Sequence, residues 1–231
     1  MDCTDAKLYS NAAGETVKAF HFPPEAIEFL RGLKENNNRE WFAAHRENYI
    51  SFVKEPSESF CRLMTNELDE WMGREFRSKI FRIYRDVRFS KDKTPYKTYQ
   101  HILFAAGDHR SARSAWFFGL EPDRLVLGAG KLAFDRDGLL RYREAVAGRR
   151  GAKLAKVLAN LQSQGARMNG PALKRVPNGY DKANPHVDLL RHKGLALWID
   201  LDTDAAIKGD LVATCLSGFE KLKPLIDWLE A

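Results

Sequence analysis

The chain has 231 residues, of which 44% are hydrophobic and 29% are charged, and its formal net charge is +6. This composition is typical of globular proteins, and the length suits one large core, so we predict a single domain over residues 1–231. Charges interrupt every hydrophobic run before the roughly 20 residues that a membrane span requires, and residues 1–20 lack the apolar stretch of a signal peptide. We therefore predict a cytoplasmic protein without membrane contact, with residues 1–20 as a poorly ordered extension.

The three cysteines, Cys3, Cys61 and Cys215, are widely separated and form no C-x-x-C pair. This spacing indicates neither a disulfide framework nor a cysteine zinc site, and a reducing cytosol fits it best. We expect free cysteines that pack as small hydrophobic residues.

Three amphipathic helices are predicted before the first strand. The first begins at Pro24 and ends at the asparagines of positions 36–38. The second covers the aromatic run at positions 41–53, and the third begins at Pro56 and ends at Gly73. Aromatic residues at helical spacing typify a core more than a base-stacking platform. Those at such spacing are Trp41, Tyr49 and Trp71.

From Ile80 onward the residues become aromatic and β-branched, and turn signals separate short runs. Links of hairpin length favour antiparallel pairing. The glycines of Gly128–Lys131 lack the spacer of a P-loop, so we interpret them as a hairpin bulge. The predicted strands are Phe81–Phe89, Tyr99–Ala105, Ala115–Leu120, Leu125–Phe134 and Leu195–Leu201.

Helical spacing returns at positions 139–146 and 154–161, and a long helix over 211–229 should kink or restart at Pro224. Helices that are segregated from the strands predict an α+β fold with a central antiparallel sheet flanked by N-terminal and C-terminal helices. The loop over 165–193 is long and rich in Gly, Pro and Asn, and loops of that length in compact domains are often functional.

The positive charge is concentrated in one segment, Arg74–Tyr99. This segment contains nine basic and three acidic residues, so the other 205 residues are neutral overall. Such a local excess favours phosphate, carboxylate or nucleic-acid ligands.

Within this segment, residues 82–89 have a pattern that fits a strand with two different faces. A period of two places Arg82, Asp86 and Arg88 on one polar face and Arg85 on the opposite, apolar face. A guanidinium on an apolar face needs an acid or carbonyl partner, because an unpaired buried charge is very costly. Helical spacing also fits these residues, so a helix remains the alternative.

The next residues, Ser90–Thr98, form a donor-rich loop in which Pro95 excludes a helix. Arginine forks bind planar oxyanions, and lysines and hydroxyl groups complete a phosphate shell. Asp86, among arginines, should have a lowered pKa and be a poor general base. Its expected role is to orient the arginines or, less favourably, to hold a divalent metal with Asp92. The alternative is a salt-bridge network that only holds the sheet edge to the helices.

The six histidines form no H-x-x-x-H or H-E-x-x-H pair, and no serine lies in a G-x-S-x-G turn. These absences exclude the metalloprotease and α/β-hydrolase patterns, and we predict no metal and no cofactor. His101 could reach the basic face, although a lone histidine in a strand is more often structural.

Three segments carry a resemblance to a known family: the run Arg82-x-x-Arg85-Asp86-x-Arg88-Phe89-x-x-x-Lys93-x-x-Tyr96, with Asn38–Phe42 and Leu173–Tyr180. Together they resemble the bacterial family catalogued as domain of unknown function 2461, over the full length of the chain. The family has no assigned activity. The resemblance therefore implies only that the residues of the first run form the family's defining site.

Our first hypothesis is a binding or catalytic site for a phosphorylated or otherwise anionic small molecule. The rival is a nucleic-acid-binding module. The sequence contains no recognisable reader motif, so such binding would be weak or non-specific at most. A third is a structural or interaction protein. A small-molecule site should be concave, whereas a nucleic-acid site should be an elongated basic stripe. The predicted ligand-binding residues are Arg82, Arg85, Asp86, Arg88, Lys93, Tyr96, Lys97, Lys174 and Arg175.

Overall fold

The protein is represented by a computed structural model that describes residues 9–10, 16–17, 19–108 and 112–231. The predicted extension over residues 1–20 lies largely outside this range, as does Cys3. Within it, the two short strands β1 (Tyr9–Ser10) and β2 (Thr16–Val17) pair antiparallel.

The N-terminal helical region differs from the prediction in its second part. The run at positions 41–53 is broken at His45, and from Arg46 the chain continues without interruption through a π-helix into the next helix. The predicted helix from Pro56 to Gly73 is observed over Glu55–Met72 with Pro56 in its first turn, where proline is favoured, although it follows the π-helix without a break. The segments are α1 (Pro24–Glu35), α2 (Arg39–Ala44), α3 (Arg46–Asn48), the π-helix (Tyr49–Lys54) and α4 (Glu55–Met72).

Six strands form one antiparallel sheet with the order β3-β4-β5-β6-β8-β7. Helices precede and follow these strands, so the α+β prediction is confirmed. Two of the predicted strands have the observed bounds, and β7 was not predicted. The strands are β3 (Phe76–Ile80), β4 (Gln100–Ala106), β5 (Ala115–Leu120), β6 (Leu125–Lys131), β7 (Arg167–Met168) and β8 (Leu195–Leu201).

The predicted strand over Phe81–Phe89 is wrong. The strand that pairs with β4 is β3, which ends at Ile80, and the chain then leaves the sheet. Three of the five β3 side chains are exposed and polar or charged, as is common on an edge strand that must not pair with other chains. The apolar and aromatic residues after Ile80 therefore misled the prediction.

The longest of the C-terminal helices packs on the sheet, and the others contact it or one another. The longest runs through Pro224 as one helix, so the predicted restart does not occur. Its Gly218 lies against Leu127 of β6, where a Cβ atom would approach the leucine side chain to 2.4 Å. These helices are α5 (Arg136–Ala147), α6 (Arg150–Ser163), α7 (Val187–Leu190), α8 (Asp204–Ile207) and α9 (Leu211–Glu230).

The two faces of the sheet have different environments, because successive strand residues point to opposite sides. One face carries the main core, in which Phe118 packs on Phe60 with ring centroids 4.6 Å apart. The other face carries a smaller apolar cluster, which includes Leu103 and Phe117. Gly128–Lys131 belongs to β6 in the middle of the sheet and is not the predicted hairpin bulge.

Cys61 and Cys215 are free and buried, as expected. Burial raises the pKa of the Cys61 thiol to about 11, and it raises that of Cys215 well above its usual value. Both thiols are therefore protonated near neutral pH and act as small hydrophobic groups.

Candidate functional site

The segment between β3 and β4, residues 81–99, folds back on itself, and we call it the basic hairpin. The Lys97 N–H donates to the Ile83 carbonyl at 2.7 Å, and the Arg85 N–H donates to the Pro95 carbonyl at 2.9 Å. Between these bonds, Tyr84 and Tyr96 form an isolated antiparallel bridge. The exposed fraction alternates along residues 82–86, as the sequence predicted, although the backbone is extended outside the sheet.

The base of the basic hairpin is anchored on the N-terminal helices through Tyr96. This ring is 6% exposed and stacks on Phe42 of α2 with centroids 4.1 Å apart. The Asn37 side chain donates to the Tyr96 carbonyl at 3.0 Å and accepts from its N–H at 3.1 Å. Burial raises the pKa of the Tyr96 hydroxyl. Among the predicted site residues, Tyr96 thus holds the hairpin in place.

Arg85 has the partners that its position demands. Its guanidinium donates to the Asp92 carboxylate at 2.6 Å and to the Thr94 carbonyl at 3.1 Å, and it also contacts the Thr94 hydroxyl. Asp92 accepts further bonds from the Thr94 N–H and hydroxyl. These bonds from Thr94, followed by the one from Arg85, lower the pKa of Asp92 to about 2. The carboxylate therefore closes a loop within the hairpin.

Asp86 and Arg88 form a second internal pair. The guanidinium donates to both carboxylate oxygens, at 2.9 and 2.7 Å, and these bonds lower the pKa of Asp86 in the predicted direction. Asp86 and Asp92 therefore bind different arginines and do not converge on a common metal position. In the described ranges, no group of three or more His, Cys, Asp or Glu side chains could hold a metal ion.

The remaining cations of the hairpin point to backbone oxygens or to solvent. The Lys93 ammonium donates to the Val87 carbonyl at 3.0 Å, and the Lys97 ammonium donates to the Arg82 carbonyl at 2.9 Å. Burial, followed by the nearby Arg82 charge, lowers the pKa of Lys97. The predicted cluster of converging arginines is not formed, because Arg85 and Arg88 turn to acids inside the hairpin.

Lys174 and Arg175 are not bonded to the basic hairpin in the described residues. Both are exposed, in a loop that Arg191 holds through its bond to the Leu173 carbonyl. Among the described residues, no hydrogen bond or ion pair joins either side chain to the hairpin.

A concave site lies where the basic hairpin joins the sheet, and we call it the sheet cavity. It occupies about 390 Å³ on the face opposite the main core. Apolar residues form much of its lining, with cations and His101 among them. Lys97 is the one predicted ligand-binding residue among its described lining residues. Its lining includes Phe81, Lys97, Tyr99, His101, Phe117, Gly119, Glu121, Arg124, Val126, Leu132, Arg167 and Trp198.

Two glycines allow aromatic rings to lie flat along this face. His101 is the direct cross-strand partner of Gly119, and Trp198 is that of Gly128. A Cβ atom would lie 3.0 Å from the His101 ring at the first glycine and 2.3 Å from the indole at the second. Side chains normally stand upright on a sheet, so a glycine opposite an aromatic ring gives it room to lie across the neighbouring strand. Ring surface thus contributes to the cavity lining.

An ion-pair network borders the sheet cavity. Arg124 donates to Glu121 at 2.9 Å, and Arg167 binds both oxygens of Asp200 at 2.7 and 2.9 Å. The His101 ring, with Nε2 at 3.8 Å, and Arg124 hold the pKa of Glu121 below its usual range. At 2.9 Å, Arg124 is the closer partner of Glu121. The network keeps both acids ionised beside the cations.

Sequence reasoning missed Arg124, Arg167 and Trp198. Arg124 and its partner Asp200 are 76 positions apart, and only the strand order brings them together. An available signal was the presence of Gly119 in β5 and Gly128 in β6, two otherwise apolar strands, since glycine in a strand often marks a close approach of other groups.

A second, smaller cavity of about 170 Å³ lies beside α5, α6 and α9. Several arginines line it, but two of them serve the C-terminal helix. Arg113 donates to the Glu230 carbonyl at 2.9 Å, and Arg150 lies 4.6 Å from the centre of the Trp228 ring. The volume is below the roughly 300 to 1,000 Å³ of typical ligand pockets, so the sheet cavity is the better candidate.

Comparison with curated proteins finds no match. A family model described as conserved hypothetical protein (DUF2461) matches residues 25–228, which cover nearly the whole chain. The resemblance noted in the sequence is thereby confirmed at the level of the family, whose description names no activity. The chain belongs to the DUF2461 family of conserved hypothetical proteins.

Proposed function

We propose that the protein binds a small anionic molecule with an apolar portion in the sheet cavity. The observation that carries this proposal is the concave shape of a site that combines apolar floor residues with cations. Its volume of about 390 Å³ falls within the range of ligand pockets. Phe117 and Trp198, with ring centroids 5.3 Å apart, offer the apolar surface.

The cations of the cavity retain donors for a ligand. The Lys97 ammonium donates one of its three N–H groups to the Arg82 carbonyl, so two remain for a ligand. Arg167 uses Nε and one terminal nitrogen for Asp200, which leaves the other terminal nitrogen for an oxyanion. Burial lowers the pKa of Lys97 because it disfavours the charged form. A bound anion would raise this pKa again, because a nearby negative charge stabilises the ammonium. We therefore expect anion affinity to fall at alkaline pH, as Lys97 loses its proton.

The proposed ligand lies at the base of the basic hairpin and not at its tip, which is formed by residues 86–93. The phosphate or carboxylate that the sequence analysis expected near residues 82–97 would lie beside Lys97. The internal pairs of Arg85 and Arg88 reduce what the tip can offer a small anion. Tyr99 stacks on His101 at 4.0 Å and continues the cavity lining towards the hairpin.

The test is a thermal-shift screen with phosphorylated and carboxylated metabolites. A ligand at about 100 times its Kd should add roughly 2.7 kcal/mol to the free energy of unfolding. Leu132 is 55% exposed and lines the cavity, so Leu132→Trp can block it without overpacking the core. We expect Leu132→Trp to abolish the shift and Lys97→Gln to weaken it.

The matched control is Arg88→Gln, which removes a cation from the exposed hairpin tip. It should leave the ligand-induced shift unchanged. A shift that survives Leu132→Trp and disappears in Arg88→Gln would contradict the proposal and return the anion site to the tip.

A further inference from the structure

A second feature, independent of the sheet cavity, is the aromatic residue at the tip of the basic hairpin. Phe89 is 97% exposed, whereas the other exposed large hydrophobic residues of the described chain reach at most 55%. A phenylalanine in that position buries no surface and contributes nothing to the hydrophobic stabilisation of the fold. Its ring is therefore available to another molecule.

The structure of the tip does not depend on this ring. The Ser90 N–H donates to the Val87 carbonyl at 3.3 Å, and the Lys93 ammonium donates to the same carbonyl at 3.0 Å. Together with the Arg85 contacts to Thr94, these bonds hold the backbone on both sides of Phe89. The tip thus presents the ring on a backbone that its own hydrogen bonds fix.

The hairpin that carries the ring is positively charged. Residues 82–97 contain six basic and two acidic side chains, a net charge of +4. The Arg88 guanidinium lies 5.9 Å from the centre of the Phe89 ring, and Lys91 and Arg82 are exposed. Hydrogen bonds from lysines to carbonyl oxygens do not neutralise their charge. The hairpin therefore offers an aromatic face among cations.

We propose that the tip binds single-stranded nucleic acid, with a base stacked on Phe89 and phosphates beside the neighbouring cations. An aromatic ring within a positive surface is the combination that binds single strands without sequence preference. A duplex fits less well, because a base must first be unstacked before the ring can contact its face. A protein partner fits less well too, since a lone apolar residue gives little area.

The binding should be weak, independent of sequence and sensitive to salt. Three or four phosphate contacts, at about 0.7 log units per phosphate and decade of salt, lower the affinity about 20- to 50-fold between about 50 and 200 mM salt. Nothing on the tip resembles a set of side chains for reading base edges, so we expect similar affinities for different sequences.

The test is fluorescence anisotropy with labelled single-stranded DNA of about 12 nucleotides, within the usual site size for such surfaces. Phe89→Ala should weaken binding about 5- to 150-fold, the effect of losing one stacked base, and should leave the salt slope unchanged. Lys91→Ala should reduce the salt slope by about 0.7. Phe89→Tyr, which keeps an aromatic face, should bind like the wild type.

The controls are Leu140→Ala, which removes another exposed apolar side chain, and Lys153→Ala, which removes an exposed cation from α6. Both should bind like the wild type. Wild-type affinity in Phe89→Ala would overturn the proposal, as would a duplex of equal length that binds as tightly as the single strand. Absence of binding at about 50 mM salt would also overturn it and would leave an acidic protein surface as the partner of the tip.

Discussion

The basic hairpin and the sheet cavity gather charged side chains in different ways. In the hairpin, partners are close in sequence: Arg88 binds Asp86 two positions away, and Arg85 binds Asp92 seven positions away. In the sheet cavity, Arg167 and Asp200 are 33 positions apart. Acids within a dense run of cations can therefore pair with those cations. A concave site instead requires residues that are distant in sequence and that the fold brings together.

The two regions also differ in what they offer to a ligand. The hairpin tip is exposed on all sides of Phe89, so it suits a partner that wraps or stacks. The sheet cavity is concave and has an apolar lining that includes Val126 and Phe117, so it suits a small molecule. If the hairpin tip and the sheet cavity are separate, a substitution in one should leave the other unchanged.

The largest expected effect is at the base of the hairpin. Tyr96→Ala removes a buried ring that stacks on Phe42, and truncation of a buried aromatic residue typically costs about 3 to 5 kcal/mol. Phe89→Ala, at the exposed tip, should leave the free energy of unfolding within about 0.5 kcal/mol of the wild type. Urea denaturation measures both. Equal losses of unfolding free energy in the two variants would contradict a buried anchor at Tyr96 and an exposed tip at Phe89.

A smaller loss is expected in the cavity floor. Gly128→Ala places a Cβ atom 2.3 Å from the Trp198 ring, which must move. Overpacking of this kind costs about 1 to 3 kcal/mol, and the displaced indole should also reduce ligand binding in the sheet cavity. The control is Gly170→Ala, where a Cβ atom meets nothing within 4 Å. Unfolding curves of the two variants that coincide would contradict the flat placement of the indole.

A pH-dependent effect is expected from Asp92, whose pKa is lowered to about 2. A lowered pKa in the folded state stabilises the protein above the unfolded pKa of about 3.9, and this contribution is lost as the pH falls towards 2. Asp92→Asn should therefore lower the melting temperature at neutral pH, and its difference from the wild type should shrink between about pH 4 and pH 2. A constant difference across that range would exclude the ionised carboxylate as its cause.

The smallest effect is expected at Lys174 and Arg175. Both are exposed and make no hydrogen bond or ion pair with the hairpin among the described residues, so replacement by alanine should change stability by less than about 0.5 kcal/mol. Neither variant should alter ligand binding in the sheet cavity. Loss of binding in either thermal-shift assay would restore these residues to the site.

Sequence patterns predicted the sheet better than the site. The strands Ala115–Leu120 and Leu195–Leu201 are observed with the predicted bounds, because short apolar runs between turn signals favour strands. The prediction of a strand over Phe81–Phe89 was wrong. The exposed fraction does alternate along residues 82–86, but the backbone hydrogen bonds there join the two arms of the basic hairpin. Alternation identifies an extended backbone and cannot show which partner it pairs with.

The pairing of Arg85 could be anticipated from the cost of an unpaired buried charge, but the identity of its acid could not. The sheet cavity could not be anticipated at all, because Arg124, in the turn before β6, and Trp198, in β8, are far apart in the sequence. Their proximity follows from the order β5-β6-β8, which local patterns do not contain.

The most direct test of the central claim is a nuclear magnetic resonance titration of the ¹⁵N-labelled protein with a ligand from the thermal-shift screen. Trp198→Phe would assign the Trp198 indole signal among the five tryptophans. We predict that the ligand shifts this indole signal and the Gly119 amide while the Arg88 and Phe89 amides stay unchanged. Shifts confined to the hairpin tip would contradict a small-molecule site in the sheet cavity.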